Sequence, residues 1–227
     1  MGWVTDESTL KPYAVQVSVN AGRDVAWEAM TQPPVLHQWF GWDYDGLDAE
    51  IRQVFIDEAT LLAPERMGWA DGSYLEVVGD DDRSTVRAVR EGGPPDDPDR
   101  YDAIEEGWKA FLAQLRFLLD RRPKGRRRTL HLTGETTWRQ THGLVDGGWE
   151  RVGSRVAGTV DPDGFLVVAA GHVPQDNPYA AAMQVVVSTY GLDDHAFASV
   201  RDDWTKRWAA VADRAGVTFA GRSASST

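Results

Sequence analysis

Any catalytic chemistry in this chain falls first to histidine, whose imidazole changes charge near neutral pH. His37 sits in Leu36-His37-Gln38-Trp39-Phe40, beside two aromatic residues. It is the one candidate for a general acid or base, or for a ligand's hydrogen-bond partner; the competing reading is a satisfied histidine at a helix end. His131, His142, His172 and His195 are scattered and show neither HxH nor HExxH spacing, so no metal site is expected. Cysteine is absent, which removes disulfides, thiolate nucleophiles and thiolate ligands. Gly153-Ser154-Arg155 lacks the second glycine of a nucleophile elbow, and Gly143, Gly147, Gly148 and Gly153 do not make a phosphate-cradling loop. The carboxylate pairs Asp43 with Asp45 and Glu105 with Glu106 read as solvated surface, as does the loop tip Asp80-Asp81-Asp82. No catalytic residue beyond the candidate His37 is assigned, and no cofactor is expected.

Binding chemistry is better supplied. Ten tryptophans in 227 residues is several times ordinary usage, and indoles in such number build an aromatic core or line a cavity. With 24 basic against 35 acidic residues the net charge is -11, which repels phosphate backbones, so no nucleic-acid partner is expected. The run from Arg121 to Arg128 is the local exception; its Pro123 and Gly125 make it read as punctuation and solvated linker. The opening residues Met1–Glu7 lack the basic start and apolar run of a secretory signal. No stretch approaches the roughly 20 apolar residues that span a bilayer, so no membrane insertion and a cytoplasmic location are expected.

The elements that would position these residues follow from periodicity. Tyr13 to Val19 alternates apolar and polar residues as a half-buried strand does, and Arg23 to Met30 forms a short helix stopped before Pro33-Pro34. Leu36 to Trp42 reads as a second short helical segment. Strands are expected at 49–55, 58–63, 73–78 and 84–89, joined as a meander by turn clusters such as Asp71-Gly72. After the Gly92–Asp99 break, with Asp99 or a neighbour as cap, Trp108, Phe111, Leu112, Leu115, Leu118 and Leu119 make one apolar stripe on a long helix. The second half repeats the plan loosely, with strands at 128–133, 150–160, 164–170 and 182–190. A helix then covers 193–215, placing Trp204, Trp208, Val211 and Ala215 on one face, and the end from Gly221 looks frayed. The order predicts an α+β chain in which an antiparallel sheet curves around a long helix and leaves a cavity.

Residues 11–121 resemble the START-like helix-grip superfamily (SRPBCC), and within it the bacterial relatives of the heat-shock chaperone ATPase activator. The resemblance is carried by Ala26-Trp27-Glu28-Ala29-Met30-Thr31, Leu36-His37-Gln38-Trp39-Phe40, Ser84 to Gly92, and Glu106-Gly107-Trp108 with its leucine stripe. It implies a helix-grip domain over 1–125, followed over 126–227 by a compact strand-rich segment with its own terminal helix, a candidate for a shortened second copy. It also implies a pocket between sheet and long helix lined by Trp39, Trp42, Trp69, Trp108, Phe111, Leu112 and Leu115, with His37 near its mouth. Such a lining suits a small hydrophobic or aromatic molecule stacked between rings, and Glu76 and Arg87, if inward, would orient its polar end. Two other readings on the same scaffold are a cyclase or hydrolase acting on a polyketide-like substrate, and a stress-linked interaction module with a chaperone or homodimer partner. Fold membership does not choose among them.

Overall fold

Apolar and polar residues alternate along Tyr13–Val19, and the strand they form, β1, buries Tyr13, Val15 and Val19. The computed structural model to which this strand belongs describes residues 11–93, 97 and 99–219. The expected leaderless start at residues 1–7, residues 94–96 and 98 of the proline-rich break, and the frayed end at 221–227 lie outside the described residues. Helix α1 spans Arg23–Thr31 and is followed by α2, Pro33–Leu36, which opens on proline as a first helical turn tolerates. The segment expected as a short helix ending at the glycine is helical only to Leu36, continues as a turn and reverses at Gly41, whose φ of 58° suits glycine.

Residues 49–55 were expected as a strand and are helical. Helix α3, Leu47–Arg52, runs into a single π-helical turn at Gln53–Asp57. Leu47, Ile51 and Phe55, four residues apart and all buried, lie one above the other on the inward face of this helical segment. Strands β2 (Thr60–Ala63), β3 (Arg66–Gly68), β4 (Ser73–Gly79) and β5 (Ser84–Arg90) complete an antiparallel sheet in the order β1-β5-β4-β3-β2. Asp102, in the neighbourhood expected, caps the long helix α4 (Ala103–Arg121) by accepting from the N–H groups of Ile104 and Glu105. On α4, Trp108, Leu112, Leu115 and Leu119 pack against Val15, Leu75, Val77 and Val86 of this first sheet.

The second half forms β6 (Arg127–Thr136), α5 (Trp138–His142), β7 (Glu150–Arg151), β8 (Val156–Val160), β9 (Leu166–Gly171), β10 (Ala181–Tyr190), α6 (Asp194–Ala209) and β11 (Asp213–Thr218). Its sheet runs β11-β6-β10-β9-β8-β7 and is antiparallel throughout. The single strand expected at 150–160 is a hairpin of β7 and β8. The helix expected to Ala215 stops at Ala209, because Asp213–Thr218 pairs with the outer edge of β6. Trp204 and Trp208 of α6 are buried on the face of this sheet that carries Leu130, Leu132, Val185 and Val187. Its opposite face, with Val156, Leu166, Val168 and Ala170, receives Phe117, Ala110 and Ala113 of α4. The layers are thus first sheet, α4, second sheet, α6, and α4 is packed on both sides. Among the described residues no helix is long and apolar enough to cross a membrane.

Candidate functional site

A helix clasped between two sheets cannot fill the space beside it evenly, and next to the first half of α4 a cleft of about 620 Å³ remains, a size suited to a small organic molecule. Trp108 and Phe111 reach it from α4, Trp69 from the end of β3, Phe40 and Trp42 from the turn after α2, and Tyr13 from β1. The rings form a connected wall. Phe40 and Phe111 lie 4.7 Å apart between centroids, Trp108 meets Phe111 at 6.0 Å edge to face, and Trp69 lies 6.1 Å from Trp108. Trp69 donates its indole N–H to the Val54 carbonyl at 2.7 Å, so toward the cleft it presents an apolar ring. Burial pushes the Tyr13 hydroxyl up to about 12, keeping it neutral.

The opposite wall belongs to the second half, whose Val168, Ala170, Gln184 and Val186 face the rings. The sequence reading did not anticipate these residues, nor those behind them. On β6, Arg127, Thr129 and His131 alternate with Leu130 and Leu132, and residues 38–43 of the first half run along their side. Arg127 donates to the carbonyls of Phe40 at 3.0 Å and Gly41 at 2.9 Å, to the Ser188 hydroxyl, and to Gln114. Asp43 and Thr129 exchange two hydrogen bonds, and Trp42 stacks on His131 at 3.9 Å. Two expectations are corrected here. Arg127 is not part of a solvated linker but is 3% exposed, and Asp43 is not free surface but a clamp between the halves. The alternation of polar and leucine residues from 127 to 132 was the available signal; a strand with a polar inward face is read correctly only once something covers that face.

The other candidates separate. Trp39 is fully buried away from the cleft, donating to the Ala29 carbonyl, and Leu115 is likewise core. Leu112 lines a different groove, between α4, β1 and β8. Glu76 and Arg87 are corrected as orienting groups. They are cross-strand partners on the face opposite the inward Leu75 and Val77, where Glu76 binds Arg66 and Arg87 at 2.5 and 2.7 Å. His37 caps α2, pairs with Asp48 at 3.3 Å and takes no part in the cleft lining.

The charged residues lining the cleft are Glu50, Glu58 and Asp71, all acidic. Each is occupied: Glu50 accepts from Tyr44 at 2.6 Å, Glu58 from Gln53, and Asp71 from the backbone and hydroxyl of Ser73 in a turn. Ser73 thus spends its hydroxyl on Asp71 within a turn, and the greater part of the lining is rings and apolar side chains. Among the described residues no cluster of ligating side chains suits a metal ion.

His131, bonded to Gln184 at 3.1 Å, has its pKa pushed down from the ordinary 6.5 by burial. His142 is shifted the same way by burial. A histidine kept neutral by folding is protonated first in the unfolded chain, so stability is full above about pH 6.5 and falls as pH drops toward the lower native values. The midpoint of urea unfolding should accordingly decrease between about pH 7 and 5.5, and His131→Gln should flatten part of that slope. An unchanged slope in the variant would show that His131 is not the group responsible.

No family model matches the chain, and no curated protein does. Among solved structures it is similar to DynU16, a protein in the dynemicin biosynthetic locus, at 16% identity and a TM-score of 0.34, over 87% of this chain and 94% of that one.

Proposed function

We propose that this chain binds a neutral, ring-bearing small molecule in the cleft between α4 and the two sheets. The observation that carries the reading is the joined wall of Phe40, Trp69, Trp108 and Phe111 around a space of about 620 Å³, rimmed by carboxylates that disfavour an anionic ligand. We further propose a helix-grip assignment for the halves, divided near residue 125. In each, a first strand is followed by helix (α1 to α3 after β1, α5 alone after β6), a meander returns to pair with that first strand, and a long helix follows: β1 with β5 before α4, and β6 with β10 before α6. The same order twice supports the second half as a copy of the first. The catalytic alternative named His37, and its distance from the cleft lining favours binding over turnover.

Three tryptophans in the lining make the test direct. Titration with a phenylnaphthol should quench tryptophan fluorescence saturably, with a dissociation constant of roughly 0.2 mM if its about 17 heavy atoms each contribute roughly 0.3 kcal/mol. Native mass spectrometry of the purified protein should show a retained neutral molecule. Unchanged fluorescence with a panel of neutral fused-ring compounds, together with a bare protein mass, would remove the reading.

A further inference from the structure

Beside the cleft lies a second cavity of about 350 Å³, between the first turn of α4 and the adjoining ends of β6, β9 and β10. The two spaces share Ala103, Gly107, Ala170 and Gln184. Ala103 and Gly107 are one helical turn apart on α4, and Ala170 and Gln184 stand directly opposite each other on β9 and β10. The boundary between the spaces is thus set by two alanines, a glycine and one carboxamide. Tyr101 and His172, their rings 4.6 Å apart, contribute to the wall of the side cavity. Glu106 also borders it; expected at the solvated surface together with Glu105, it is 4% exposed, and Lys109 donates to its Oε1 at 3.0 Å.

Two features single out this boundary. A glycine inside a helix costs stability relative to alanine, yet a Cβ at Gly107 would meet only Phe111 Cε2, at an ordinary 3.8 Å. Packing does not demand the glycine; what it provides is open space where the cavities adjoin. The second feature is Gln184, which is half-buried. Its Oε1 lies 3.1 Å from His131 Nε2, a contact that an oxygen makes with the tautomer carrying N–H at that nitrogen. The amide Nε2 of Gln184 is then left as a donor, accessible and without a hydrogen-bond partner among the described residues. A free N–H calls for an acceptor on the ligand, and the acidic residues of the adjoining cleft disfavour a charged one. We infer that the two cavities form one site for a neutral molecule with two ring systems joined through a carbonyl. The larger ring system lies in the cleft, the smaller in the side cavity, and the carbonyl accepts from Gln184 Nε2 at the boundary. This rests on the cleft being a binding site, as proposed above.

The test uses the full chain and three neutral probes, each titrated by tryptophan quenching: 2-naphthyl phenyl ketone, 2-acetylnaphthalene, which lacks the second ring, and 2-benzylnaphthalene, which has a methylene in place of the carbonyl. The second ring should make the phenyl ketone bind about tenfold more tightly than the methyl ketone. The carbonyl should give it about a fivefold advantage over the methylene compound. Gly107→Leu puts a side chain at the boundary, so the tenfold ratio should fall to about one. If circular dichroism shows that this variant does not fold, Gly107→Ala carries the comparison: its methyl has room, its urea midpoint should rise, and the ratio should fall by about half. Gln184→Glu keeps an oxygen for His131 and turns the free donor into an acceptor, so the fivefold ratio should vanish; Gln184→Met serves if that variant does not fold. In a folded variant, an undiminished preference for the second ring would overturn the joined site, and an undiminished preference for the carbonyl would overturn the role of Gln184. Either result leaves the cleft reading intact, since the probes still bind. Failure of all three probes to bind the wild type would overturn the joined site and the cleft reading together.

Discussion

Arg127→Met is expected to lower the free energy of unfolding by about 3 kcal/mol, read as a fall in the urea midpoint at unchanged slope. The guanidinium is one of the links through which β6 holds the turn after α2, beside the Asp43–Thr129 pair. Removing it strands the carbonyls of Phe40 and Gly41 in a buried setting, at roughly 1–3 kcal/mol each. Ser188 and Gln114 lie 3.5 Å apart and can partly satisfy one another, so they add less. Against this stands the relief of desolvating a cation: burial pushes the Arg127 pKa down, and among the described residues no carboxylate pairs with it. Methionine conserves length and apolar bulk, so the two stranded carbonyls decide the sign. Lysine, a point donor without the planar fork, should recover only part of the loss. A variant as stable as the wild type would mean that the desolvation cost of the guanidinium equals the contribution of all its hydrogen bonds.

That residue marks where sequence reading ran out. The α4 stripe was legible because Trp108, Leu112, Leu115 and Leu119 recur at the period of one helix, and β1, β4 and β5 because their alternation is equally local. Arg127 belongs to a basic run whose other members flank a proline and a glycine, so composition assigned it to solvent. Only the pairing of β6 with β10, some sixty residues away, turns its side chain inward. The same limit explains Glu76 and Arg87. Their strands were read correctly, but which face points inward depends on the sheet's partner, and a one-residue shift in register exchanges the faces. The π-turn after α3 and the strand β11 were hidden for a related reason: each is set by contacts made elsewhere rather than by its own pattern.

The candidate site divides in the same way. Trp42, Trp69, Trp108 and Phe111 do come together around one space, whereas Trp39, from the same segment as Trp42, is packed in the core with its indole N–H bound to Ala29. Aromatic identity cannot separate a ring that lines a cavity from one that fills a core; neighbours in space do. The far wall of the cleft comes from β9 and β10, whose small and β-branched residues carry no chemical signal of their own.

Trp108→Ala tests that division with the second large effect expected. Trp108 is 8% exposed and touches both Trp69 and Phe111, so truncation removes the middle of the ring wall. Loss of a buried indole costs about 3–5 kcal/mol of stability when the hole stays empty, and the lower figure applies here because the hole opens into the cleft. A neutral aromatic ligand should lose about tenfold to a hundredfold in affinity, corresponding to roughly 1.5–3 kcal/mol of apolar contact. Trp39→Phe is the matched control. It removes a fully buried indole and its bond to Ala29, so it should lower the urea midpoint while leaving the ligand's dissociation constant unchanged. Equal loss of affinity in both variants would mean that binding follows general stability rather than contact with Trp108. Unchanged affinity in Trp108→Ala, with the expected drop in stability, would make the aromatic wall a packing feature of α4 and place any ligand elsewhere.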